Sequence, residues 1–279
     1  MKRADIIILA GQSNAVGVGH LKCLPLHFTE EKINEYREGY ENIKIKYYSH
    51  DKRGGNFQKT TVNCTELSKD TLGPEVGIAE YLSEKYPKRE FFIIKCAFGG
   101  TNLCNDWLSF SSGASHSYEE TCDCAITNKK RTPGWCCNEL IKIVGDGIEE
   151  LKNMGYDPNI CAFCWMQGES DAGSREILSR YIERYDNLLK DFRSNFKDYV
   201  NDCRYIDAGI SQRWYLHREM NEIKRTYADK NENCFFIDTV TAGLTTEFEP
   251  IESPDTAHYD SDSTVKLGWL FAEQMKNFD

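Results

Sequence analysis

Short apolar runs alternate with amphipathic stretches along most of the chain. The apolar runs lie at 5–10, 43–48, 91–96, 160–166, 204–210 and 234–238. Their length and composition predict strands, and runs without a polar face suit a parallel sheet covered on both sides. Between them the apolar positions recur at threes and fours, the spacing of one helix face. Residues 75–86 carry Val76, Ala79, Leu82 and Tyr86 in this way, and 139–154 carry Leu140, Ile141, Val144, Ile148 and Leu151. The clearest stripe, over 174–196, holds Ile177, Leu178, Tyr181, Tyr185, Leu188, Phe192 and Phe196. A last helix over 263–278 has Leu267, Leu270 and Met275. Strands alternating with helices predict a three-layer α/β/α sandwich around a mainly parallel sheet of five or six strands.

One stretch breaks the rhythm. Residues 101–137 are polar and irregular, yet they contain Trp107, Phe110, Tyr118 and Trp135. A long loop inside a compact domain is usually functional or disordered, and the aromatic residues argue for an ordered insertion beside a site. No linker, repeat or low-complexity tract interrupts the rest, so 1–279 is expected to form one domain.

Composition narrows the classes. A net charge of −10 repels phosphate backbones and anionic membranes, so neither nucleic acid nor membrane is an expected partner. No apolar run is long enough to span a bilayer, and the chain as given shows no signal peptide, which predicts a cytoplasmic protein. Twelve cysteines are many for this length. Cys96, Cys161 and Cys164 sit within strand-like runs, where a reduced thiol acts as a small apolar side chain. The Cys122-Asp123-Cys124 and Cys136-Cys137 pairs lack the ligand spacing of structural zinc, so no metal and no cofactor is expected.

Candidate chemistry sits at predicted strand ends, where open parallel sheets bind their ligands. Gly11-Gln12-Ser13-Asn14 follows the first strand. A serine on a strand-to-helix bend exposes its hydroxyl, although an N-cap serine is common at the same place. Phe98-Gly99-Gly100-Thr101 follows the third, and paired glycines let backbone N–H groups approach a ligand. Gln167-Gly168-Glu169-Ser170-Asp171 follows the fourth. Its glutamine is an amide donor for a developing oxyanion, and its other polar residues would also suit a helix cap. Finally, Asp255-Thr256-Ala257-His258 precedes the last helix. An Asp three residues ahead of a His can accept from Nδ1 and turn Nε2 towards a serine. The other five histidines lie in polar contexts without such a partner.

The four blocks in this order resemble the SGNH-hydrolase superfamily, and within it carbohydrate esterase family six and the sialate O-acetylesterase group. Together they run from Gly11 to His258, nearly the whole chain. The resemblance implies a flavodoxin-like sandwich and metal-free hydrolysis of acetyl esters on sugars. It implies Ser13 as nucleophile, His258 as base and Asp255 as orienting acid. The implied oxyanion hole comprises the N–H groups of Ser13 and of Gly99 or Gly100, and the Gln167 amide. Glu169 is a rival for the acid or an anchor for its loop.

An acetylated sugar or oligosaccharide is the expected substrate, with acetylated xylo-oligosaccharides foremost and O-acetyl sialate as the alternative. A carboxylated sugar would call for a cation such as Arg175 or Arg213. Gln12, Asn14 and Trp107 are candidate substrate contacts, with Trp135 and Trp214 as further sugar platforms. A sugar-binding protein without activity is the reading of another class, and the aligned serine, histidine and carboxylate argue against it.

Overall fold

The computed structural model describes residues 2–50, 52–62, 70–113, 122–123, 130–252 and 255–278. Six strands run parallel: β1 (Lys2–Gly11), β2 (Tyr40–Ser49), β3 (Phe91–Ala97), β4 (Tyr156–Met166), β5 (Arg204–Ala208) and β6 (Cys234–Ile237). Across the sheet they lie in the order β2-β3-β1-β4-β5-β6. Two short strands, Lys52–Arg53 and Gln58–Thr60, add antiparallel to β2 and bring the sheet to eight. They are short and polar, so no apolar run announces them. The sheet is the expected mainly parallel one, with a strand order different from the 2-1-3-4-5 of flavodoxin: here β3 separates β1 from β2.

The helices are α1 (Ser13–Val16), α2 (Glu30–Glu38), α3 (Glu75–Lys85), α4 (Trp135–Asn153), α5 (Tyr181–Asn195), α6 (His217–Lys230) and α7 (Ser261–Glu273). Successive strand residues point to opposite faces, so β3 shows how the layers are built. Ile94 faces α4, where a Cβ on Gly147 would stand 2.6 Å from Ile94 Cδ1. Phe163 shares that face through Ile8 and packs edge-to-face against Phe192 of α5. The next residue, Lys95, faces the other way and meets Glu75 of α3. α3 and α7 cross at glycines: a Cβ on Gly77 would lie 1.9 Å from Val265 O, and one on Gly268 the same distance from Pro74 O. That approach leaves no room for a side chain.

Several helices differ from their sequence pattern. The stripe over 174–196 is broken into a single turn, Arg175–Leu178, and then α5. At the break Ser179 Oγ donates to Glu176 O, the local side-chain bond that competes with helix continuation. α4 starts at Trp135, inside the stretch expected to be irregular. α2 carries few apolar residues, with Ile33 and Tyr36 its buried positions, and α6 buries Met220, Lys224 and Tyr227 on one face, a stripe interrupted by a lysine. Among the described residues no helix is long and apolar enough to cross a membrane.

Candidate active site

β1 lies between β3 and β4, where the chain passes from one half of the sheet to the other, so the carboxyl ends of these three strands lie side by side. Gly11 closes β1 with φ +144, and a Cβ there would lie 1.9 Å from Met166 O at the end of β4. The two strand ends therefore touch, and Gln12 N donates to Met166 O at 2.9 Å. This tight bend sets Ser13 at the first position of α1, 8% exposed. From the other side comes Gly99, where a Cβ would stand 3.8 Å from Ser13 Cβ and 3.8 Å from His50 Nδ1. Gly100 has φ +68, the left-handed conformation that glycine adopts freely. Among the described residues, the N–H groups of Ser13, Gly99 and Gly100 donate to no protein acceptor. They are free to meet an oxyanion.

Asp255 and His258 meet as their spacing predicts. Asp255 Oδ1 accepts the N–H of Ala257 and of His258, which curls the chain into a turn, while Oδ2 lies 2.5 Å from His258 Nδ1. The His258 bond, first among several causes, holds the Asp255 carboxyl below the usual carboxylate range. Ser13 Oγ and His258 are not hydrogen-bonded to one another. Resting enzymes commonly hold this contact long.

The structure joins Asn14 and Glu169 to one another. Asn14 is buried, and its Nδ2 donates to Glu169 Oε1 at 2.7 Å while its Oδ1 accepts from Tyr259 N at 3.0 Å. Its oxygen and one of its N–H groups are engaged in this way, so it braces three loops together. Glu169 is fully buried beneath this brace, and burial pushes its carboxyl up from the usual range. It anchors its loop through the Asn14 side chain, not chiefly through backbone N–H groups.

Three further candidate residues are engaged by the protein itself. Gln167 is wholly buried, and its Nε2 donates to Asp171 Oδ2 at 2.6 Å and to Gln12 Oε1 and Thr101 O at 3.2 Å. Two amide hydrogens facing three protein acceptors leave none for an oxyanion. Gln12 is buried too, and its Oε1 receives that amide and the N–H of Ser170, so it ties β1 to the β4 loop. Trp107 is fully buried between Phe98 and Trp165 and donates to Thr101 Oγ1, which makes it core and not a sugar platform. Trp135 likewise packs on Tyr48 and Phe98.

Two buried lysines hold the site's loops from below. Lys95 Nζ donates to Glu75 and to the Val16 carbonyl that ends α1. Lys224 Nζ donates to Asp207, to Ala208 O and to Gln167 O. Asp171, which accepts Leu103 N as well as the Gln167 amide, is pushed up to about 6 by burial.

His50, one of the histidines with no carboxylate at turn spacing, sits one residue beyond β2 and beside Gly99. The available signal was its place at a strand's carboxyl end. Arg175 pairs with Glu219, and Arg213 with Glu247. The nine cysteines whose side chains are described are free thiols, mostly buried. The Cys122 and Cys124 side chains, and with them the zinc question at that pair, lie outside the described residues.

A family model described as "Carbohydrate esterase, sialic acid-specific acetylesterase" matches residues 3–277. Among solved structures, a protein from Arabidopsis thaliana is 20% identical with a TM-score of 0.63, over 98% of this chain and 97% of that one. NanS is 16% identical with a TM-score of 0.63, over 97% and 95% of the two chains. A carbohydrate acetylesterase from Xanthomonas citri is 12% identical with a TM-score of 0.58, over 97% of this chain and 55% of that one. These likenesses show a shared fold. No curated protein matches the chain.

Proposed function

The chain belongs to the carbohydrate esterase family of sialic acid-specific acetylesterases, a family of carboxylic ester hydrolases, and on that premise we propose that it removes acetyl groups from sugar hydroxyls through Ser13, His258 and Asp255. The whole chain acts as one esterase domain in this reading. The observation that carries it is the Asp255 Oδ2 to His258 Nδ1 contact of 2.5 Å, in a loop braced by Asn14, the residue next to Ser13.

In the proposed reaction His258 Nε2 takes the Ser13 proton as Oγ attacks the acetyl carbonyl carbon. The tetrahedral oxyanion is received by the N–H groups of Ser13 and of Gly99 or Gly100, without Gln167. Each such donor is typically worth about 10²–10³ in rate. His258 then protonates the departing sugar oxygen, and water attacks the acetyl-Ser13 ester to release acetate. Asp255 holds Nδ1 protonated and so keeps Nε2 as the acceptor.

The family description keeps O-acetyl sialate as a second reading beside neutral acetylated glycans such as xylo-oligosaccharides. The test of the chemistry is fluorophosphonate labelling together with acetate release from p-nitrophenyl acetate. Ser13→Ala should abolish both. Retention of either by a folded Ser13→Ala protein would remove Ser13 from the nucleophile's role.

A further inference from the structure

Beside the cleft that holds Asp255 and His258 runs a second groove of about 250 Å³, and the two share Thr246 and Glu247 as a common wall. Ser211, Gln212, Arg213 and Phe248 line the rest of its polar and aromatic surface. We propose that this groove is the subsite for the sugar ring of an uncharged acetylated glycan, a reading that rests on the esterase function above.

The groove is built on the same support as the base. Asp260 Oδ2 accepts from Thr245 Oγ1 and from Phe248 N, and Glu249 accepts from Ser261 N. The 245–249 loop is thereby fastened to the start of α7, two and three residues beyond His258. A ring seated in the groove would keep a constant position relative to Nε2.

Its chemistry is that of a carbohydrate site. Phe248 is 77% exposed, although the phenyl ring of a loop residue would ordinarily be covered. A pyranose offers such a ring an apolar face of C–H groups and surrounds it with hydroxyls. Arg213 Nε meets Glu247 Oε1 at 2.5 Å, with both side chains partly exposed. The remaining guanidinium N–H groups and the free carboxylate oxygen present donors and acceptors in fixed planes, suited to neighbouring hydroxyls.

Charge selects the class of sugar. Glu247 neutralises Arg213, and the adjoining cleft wall carries Glu249, Asp255 and Asp260. A sialate carboxylate entering here would have to displace Glu247 from Arg213 against nearby negative charge. A neutral ring meets no such opposition.

The experiment compares wild type, Phe248→Ala and Glu247→Gln on three acetyl esters: p-nitrophenyl acetate, acetylated xylo-oligosaccharide and O-acetylated sialic acid. Wild type should favour the neutral sugar ester over the sialate. Phe248→Ala should lower the ratio of kcat/KM for the neutral sugar ester to that for p-nitrophenyl acetate by about tenfold, mainly through KM, the loss expected for one aromatic contact. Glu247→Gln should shift preference towards the sialate by several-fold at low salt, as Arg213 is released. An unchanged ratio in Phe248→Ala, an equal loss on all esters, or a wild-type preference for sialate would each overturn the subsite. Failure of the esterase reading is seen separately, as p-nitrophenyl acetate turnover that survives Ser13→Ala.

Discussion

Asn14 Nδ2 donates to the buried Glu169 carboxylate at 2.7 Å, joining the bend after β1 to the loop after β4. The same amide accepts from Tyr259 N through its oxygen, and Tyr259 directly follows His258. One side chain next to Ser13 therefore sets where the base's loop sits. Neither hydrogen bond touches the reacting atoms, so Asn14 is a positioning residue.

Replacing it should act on turnover more than on binding. Asn14→Leu loses both bonds, and Asn14→Asp sets a second carboxylate against Glu169. Both should lower kcat on p-nitrophenyl acetate by about 10²-fold, the scale of an ångström-sized displacement, with a much smaller change in KM. Steady-state kinetics at matched folded fraction, checked by circular dichroism, reads this out. Unaltered kcat in folded Asn14→Leu would show the brace to be dispensable.

The choice of orienting acid has its own pair of variants. Asp255→Asn should lower kcat by about 10⁴, because the amide can donate its N–H to Nδ1 and so hold the tautomer whose Nε2 carries the proton and cannot act as base. Glu169→Gln keeps an oxygen for Asn14 Nδ2, so its loss should stay below about tenfold on a hydrogen-bond scale. The reverse ranking, measured in kcat, would return Glu169 to the acid's role.

Much of this site could be read from the chain because its parts sit where the sheet's geometry demands. Six apolar runs became the six parallel strands, and Gly99 sits close beside Ser13 as the strand-end argument expects. The Asp255–His258 contact is local, set by a three-residue turn that sequence spacing encodes. What could not be read was how polar side chains divide their hydrogen bonds. Gln167 has the chemistry of an oxyanion donor, but its amide is claimed by Asp171, Gln12 and Thr101, residues far apart in sequence except for Asp171. Trp107 could have been core or platform, and only its packing on Trp165 and Phe98 decides. α2 and α6 escaped notice for a related reason: α2 buries only Ile33 and Tyr36, and the buried face of α6 includes Asn221 and Lys224, polar residues that mask its helical spacing.

Asp171 should make stability depend on pH. Burial raises its carboxyl to about 6 in the fold, against about 3.9 in an unfolded chain, so the folded state binds more protons between these values. The native state therefore loses stability from this group as pH rises from about 4 to 6, and the penalty is complete above about 6. Asp171→Asn removes that dependence. Urea titrations should show the wild type falling relative to the variant across the window, by on the order of 1–3 kcal/mol. A difference that is flat in pH would place the Asp171 carboxyl in its ordinary range.

The Lys95–Glu75 pair separates stability from catalysis. Both side chains are fully buried, and Lys95 also donates to the Val16 carbonyl that ends the helix carrying Ser13. Lys95→Met strands the Glu75 carboxylate and should cost about 3–5 kcal/mol in urea denaturation. Removing the charge as well, in Lys95→Met with Glu75→Leu, should recover most of that loss, because a buried ion pair contributes little beyond its apolar replacement. The Val16 carbonyl still lacks its donor in the double variant, a deficit of about 1–3 kcal/mol that falls on α1. Turnover should therefore stay depressed in the double variant after stability has largely returned. Recovery of kcat in step with stability would mean that the lysine serves the fold alone and leaves Ser13 where it is.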